Sequence, residues 1–129
     1  MTDTASASTE YSVDPAYALE RQRPDLLVQL CDGWSRANLD RAGVSSGWHC
    51  LEVGAGTGSL ATWLVNRVGP HGRSVAMDID LRFLGDAAAR GVEVIEGDVL
   101  AVDLPEEPFD LIHTRALVMH LSQPELAIE

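Results

Sequence analysis

Cys50-Leu51-Glu52-Val53-Gly54-Ala55-Gly56-Thr57-Gly58-Ser59-Leu60 is the stretch on which the fold turns. It begins as an apolar run, the pattern of a parallel strand buried on both faces. Three alternate glycines follow, which permit a tight turn and let a ligand approach bare backbone. Beyond Gly58 the period changes: Leu60, Ala61, Leu64, Val65 and Val68 recur three and four apart, as on one face of a helix. Strand, glycine loop and helix in that order form a cradle for a nucleotide cofactor.

The spacing narrows the choice of cofactor. A dinucleotide fingerprint reads G-x-G-x-x-G, with the pyrophosphate on the helix N-terminus. Here the third glycine comes one position early, and Glu52 stands just before the loop, where a carboxylate repels phosphate and suits an ammonium. A phosphate-binding loop of the G-x-x-x-x-G-K-[ST] type is excluded, because the chain contains no lysine. A tight strand-to-helix turn without a ligand remains the plain alternative for the glycines alone.

Outward from this stretch, Ser74-Val75-Ala76-Met77-Asp78-Ile79-Asp80 reads as a second strand ending in acid. Dinucleotide folds place a ribose-binding carboxylate at such a tip. Asp80 is the better N-cap for a helix expected over Leu81 to Arg90, which leaves Asp78 for a ligand. Val92 to Glu96 reads as a third strand leading into Gly97-Asp98-Val99, and Phe109 to His113 as a fourth. Strands alternating with helical segments imply an α/β fold with a doubly wound parallel sheet.

These motifs, taken in order, resemble the class I S-adenosylmethionine-dependent methyltransferases, a Rossmann-like family. Glu52 to Gly58 resembles the first motif, Met77-Asp78-Ile79 the second strand tip, Gly97-Asp98-Val99 the third and Phe109-Asp110-Leu111-Ile112 the fourth. The resemblance spans about residues 44 to 122. It implies S-adenosylmethionine as cofactor, with Gly54, Ala55, Gly56 and Gly58 along its methionyl part and Glu52 near its ammonium. Asp78 and Ile79 would then meet the ribose, Asp98 and Val99 the adenine, and Tyr17 the carboxylate. The implied activity is methyl transfer to a small-molecule acceptor, with strand order 3-2-1-4. His113 and His120 are the candidate general bases, because His49 precedes the first strand and His71 sits in a turn. Arg115 is expected either to orient an acidic substrate or to pair with Asp110. A nicotinamide-binding domain and a non-catalytic remnant are the alternatives.

Bulk properties agree with this. A net charge of −11 and a pI near 4.6 argue against nucleic acid or an anionic membrane as partner. Cys31 and Cys50 are expected as buried thiols and not as a disulfide or metal pair, and no Cys/His cluster suggests a metal. No secretory leader or long apolar span is evident, so a reducing cytoplasm is expected.

Three segments are expected: a disordered tail over 1–14, a helical segment over 15–43 and a partial cofactor domain over 44–129. Within the second, Pro24 to Ala42 reads as a helix with Leu26, Leu27, Leu30, Cys31 and Trp34 as its inward stripe. The resembling family has about seven strands, and this sequence stops in a helix after the fourth, capped by Ser122 with Glu125 three residues on. Strand four is thus expected to be an unpaired apolar edge, open to self-association or belonging to a longer protein.

Overall fold

β1 (His49–Val53) carries the apolar run, and its last four residues are buried. It lies in a four-stranded parallel sheet of order β3-β2-β1-β4, formed with β2 (Arg73–Asp78), β3 (Glu93–Glu96) and β4 (Leu111–Thr114). The computed structural model describes residues 26–104, 106–115 and 125. Three helices are described: α1 (Leu26–Ala42), α2 (Ser59–Val68) and α3 (Gly85–Ala89). The expected tail, the part of the helical segment before residue 26, Tyr17, His120 and the Ser122 cap fall outside the described residues.

Alternation along the strands divides the core. On one face, Cys50 packs with Leu39 of α1 and Leu60, Leu64 and Val68 of α2, while Ala76 packs with Ala61, Leu84, Ala87 and Val92. On the other face, Leu51, Val53, Val75 and Met77 lie under Ile95, Val99, Val102 and Phe109. The α2 positions inferred from sequence are the ones that point inward, Val65 being only partly buried.

The chain runs β1, β2, β3 in one direction and then returns to place β4 on the far side of β1. This reversal makes a switch point between β1 and β4, where α/β sheets open a crevice at their carboxyl ends. The glycine loop 54–58 leaves β1 at that end and stays tied to β2, since Gly54 and Ala55 both donate N–H to the Met77 carbonyl (2.8 and 3.1 Å).

Three local expectations are corrected. α3 begins at Gly85, not at Leu81, because the Asp80 carboxylate turns onto the Arg82 N–H (3.0 Å) and its guanidinium. Asp80 therefore closes a turn before the helix and does not cap it. β4 starts at Leu111, two residues later than expected: Phe109 packs on the far face, and Asp110 Oδ2 accepts the His49 N–H at 2.8 Å. The inward stripe of α1 is also different. Leu30 and Trp34 are 53% and 69% exposed, and over residues 30–42 the buried positions are Asp32, Ser35 and Leu39.

Candidate active site at the β1–β4 switch point

The β1–β4 register sets Glu52 directly opposite His113. Both lie on the face that carries Cys50, next to the carboxyl end of the sheet. Glu52 is 3% exposed, and its Oε2 lies 2.6 Å from His113 Nδ1. With the carboxylate ionised, Nδ1–H donates, which fixes the imidazole tautomer and leaves Nε2 as the basic nitrogen. No separate motif announces this pair; it follows from strand order 3-2-1-4 together with the register.

Burial pushes the Glu52 carboxyl above its ordinary value of 4.5, and nearby Asp32 adds to the rise. The hydrogen bond from His113 and the charges of His113 and Arg115 act in the opposite direction. An acid raised on folding holds a proton in the native state that the unfolded chain has released. Its stabilising contribution is complete below about pH 4.5 and is lost as pH climbs through the folded value. Glu52→Gln is therefore expected to flatten the stability curve above pH 4.5 and to be more stable than the parent at pH 7. Urea midpoints measured from pH 4 to 8 check this; a variant less stable than the parent at pH 7 but not at pH 4 contradicts it.

The second-strand tip turns its acid toward the loop. Asp78 is buried; its Oδ2 accepts the Gly56 N–H at 2.9 Å and its Oδ1 accepts the Asp80 N–H at 3.1 Å. Ile79, next along, is exposed. At the third tip, Asp98 Oδ1 accepts the Leu100 N–H (2.9 Å), so that acid shapes the 98–102 turn in which Val99 sits. The structure thus brings Glu52, the loop, Asp78 and His113 to one edge of the sheet.

Sequence reasoning missed a further cluster. Asp32 of α1 accepts from Arg115 Nη2 (2.8 Å) and from Ser59 Oγ (2.6 Å), while Arg115 Nη1 donates to Ser35 Oγ at 3.0 Å. The expected Arg115–Asp110 pair does not form, because these residues flank opposite ends of β4. Asp32 stands four residues before Arg36, and that spacing suggests a local pair. In the structure Arg36 lies instead over the Trp63 ring, 6.0 Å from its centre. Among the described residues, no group of three or more His, Cys, Asp or Glu is placed to hold a metal, and no helix is long and apolar enough to cross a membrane.

A family model described as a methyltransferase domain matches residues 50–128. The ubiquinone/menaquinone biosynthesis C-methyltransferase UbiE of Pseudomonas putida is 28% identical over 117 residues, 81% of this chain and 46% of its own length. Its counterpart from Pseudomonas entomophila is 31% identical over 101 residues, 68% of this chain and 40% of its own. The chain thus spans less than half the length of these relatives. Among solved structures, a SAM dependent methyltransferase from Aquifex aeolicus superposes with a TM-score of 0.70 at 23% identity, covering 90% of this chain and 64% of that one. Coclaurine N-methyltransferase bound to N-methylheliamine and SAH gives 0.60 at 23% identity, covering 69% and 27%. At that identity the likeness is one of fold. Matched by the family model over more than half its length, and carrying that fold, the chain belongs to the methyltransferase-domain family.

Proposed function

We propose that this domain binds S-adenosylmethionine at the switch point and serves methyl transfer to a small-molecule acceptor. One observation carries the proposal: a loop with three glycines at positive φ lies between a buried Glu52 and a buried Asp78. The donor set fits the cofactor, because an ammonium calls for a carboxylate and a ribose for an acceptor at the next strand tip. Bare backbone at Gly54, Ala55, Gly56 and Gly58 lines the methionyl part in this reading, with Glu52 on the ammonium. Asp78 takes the ribose hydroxyls, exposed Ile79 offers an apolar surface, and Asp98 with Val99 meets the adenine. Tyr17 and His120 keep their proposed roles, at the carboxylate and as a base.

When bound, the cofactor supplies a methyl group that is already electrophilic. The protein's contribution is positioning and exclusion of water, which together lower a barrier by ~7–11 kcal/mol. His113, oriented by Glu52, holds the acceptor's proton at Nε2. A carboxylate has two oxygens, so serving the imidazole and an ammonium together lies within its capacity. The net charge of −11 supports a small acceptor over a nucleic acid.

Calorimetric titration with S-adenosylhomocysteine tests the assignment, with NADH fluorescence as the competing arm. One equivalent bound and no NADH enhancement is the expected result. NADH enhancement without a response to S-adenosylhomocysteine assigns a nicotinamide site instead. A folded chain that binds neither is the non-catalytic remnant.

We also propose that the domain self-associates along β4, whose pairing among the described residues is to β1 alone. Ile112 on that strand is 61% exposed, and unpaired apolar edges recruit further strands. Light scattering at micromolar concentration is expected to give at least twice the chain's 13.9 kDa, and Ile112→Lys to lower it. A monodisperse monomer contradicts this.

A further inference from the structure

α1 turns its polar side inward. Asp32 and Ser35 are buried where Leu30 and Trp34 are not. A carboxylate leaves water at tolerable cost only when charge-assisted hydrogen bonds replace its hydration. Asp32 has two such bonds, and each comes from a different element. Ser59, its Oδ2 partner, is the first residue of α2, directly after Gly58 of the loop. Arg115, its Oδ1 partner, directly follows β4. Three segments distant in sequence therefore meet at the carboxyl edge of the sheet beside the switch point.

We propose that Arg115 is a carboxylate-binding residue of this site, and that Asp32 and Ser35 are the internal partners that hold its guanidinium in place. The inference rests on the site assignment above. The pair is lopsided: the Arg115 side chain is 33% exposed against 9% for Asp32, so the guanidinium reaches toward the open side while its partner does not. A guanidinium has five donors in a planar fork, and a carboxylate is read by two of them. Asp32 and Ser35 take one each from Nη2 and Nη1. Asp32 also keeps the Ser59 hydroxyl, so sharing Arg115 with a ligand does not strip it of hydrogen bonds. Glu52 pairs in register with His113 and Val53 with Thr114, so Arg115, the next residue, leaves β4 at the same carboxyl edge of the sheet as the Glu52 carboxyl. That arrangement complements an α-amino acid end, an ammonium and a carboxylate on one carbon. The amino-acid end of the cofactor offers one source of carboxylate, and an acidic acceptor offers another.

Two ligands that share the nucleoside separate these sources. S-adenosylhomocysteine carries the amino-acid end, whereas 5′-methylthioadenosine lacks it. Arg115→Gln is expected to weaken S-adenosylhomocysteine about tenfold or more and methylthioadenosine less than about twofold, by calorimetry. Arg115→Lys, which keeps the charge and loses the fork, is expected to fall between. Benzoate added to protein saturated with S-adenosylhomocysteine probes the acceptor side. Benzoate binding that vanishes in Arg115→Gln, with nucleoside affinities unchanged, assigns the carboxylate to the acceptor. Equal loss for both nucleosides marks Arg115 as a purely structural tie and overturns the proposal. So does no change in any of the three ligands. Circular dichroism of each variant confirms folding. A parent that binds neither nucleoside refutes the cofactor reading separately; benzoate titrated into the free parent and into free Arg115→Gln then decides Arg115, equal binding by the two overturning the proposal.

Discussion

Gly58→Ala is expected to lower folding stability by about 2–5 kcal/mol, a large share of what a single domain possesses. Two effects add. Gly58 has φ 77°, a left-handed conformation that costs an L-residue about 1–2 kcal/mol. A Cβ there would also stand 2.7 Å from the Ala87 Cβ and 2.8 Å from Leu84 Cδ2. Overpacking of that kind adds about 1–3 kcal/mol, because both neighbours are buried and the Ala87 Cβ, fixed to its backbone, has no side-chain torsion by which to move aside. Urea unfolding should show a lower midpoint at unchanged slope. The double variant with Ala87→Gly should recover part of the packing cost and none of the backbone cost, a coupling that a double-mutant cycle reads directly. A loss below about 1 kcal/mol would mean that the loop does not pack against α3 as described.

Asp78→Ala is expected to weaken S-adenosylhomocysteine by about a hundredfold. Hydrogen bonds to a charged group contribute about 1.5–3 kcal/mol each, and two ribose hydroxyls are proposed to share this carboxylate. The residue has a second task, since its Oδ2 holds the Gly56 N–H at 2.9 Å. Removing the carboxylate leaves that amide without its acceptor, so the loop loosens as contacts are lost. Asp78→Asn separates the two roles: the amide oxygen still accepts from Gly56 while the charge is gone. Its affinity and its urea midpoint should both fall between those of parent and alanine variant, because the amide NH2 then faces the Asp80 N–H that Oδ1 accepts in the parent. An alanine variant that binds as well as the parent would place the ribose elsewhere.

The parts of this molecule readable from sequence are those set by local pattern. The apolar run of β1, the glycines at 54, 56 and 58 and the period of α2 each lie within one window, and each formed as expected. Strand order was legible because the motifs occur in a characteristic sequence. What escaped depends on partners far apart in the chain. Counting apolar residues turns Leu30 and Trp34 of α1 inward, yet Asp32 is buried because Arg115, 83 positions away, meets it there. Glu52 and His113 each stood out singly, and only the β1–β4 register joins them. The late start of β4 has the same origin, since Asp110 is drawn to the His49 N–H at the far end of the sheet. Where a carboxylate finds a donor across the fold, local propensity yields to it.

The central claim is that backbone at residues 54–58 touches the cofactor, with acids at the neighbouring strand tips. Amide chemical shifts recorded during titration with S-adenosylhomocysteine test it most directly. The largest changes are expected at Gly54, Gly56 and Gly58 and at the tip residues Asp78, Ile79, Asp98 and Val99, with His49 and Arg73 at the opposite end of the sheet unmoved. Changes centred on that opposite end, or none at saturating ligand, would contradict it.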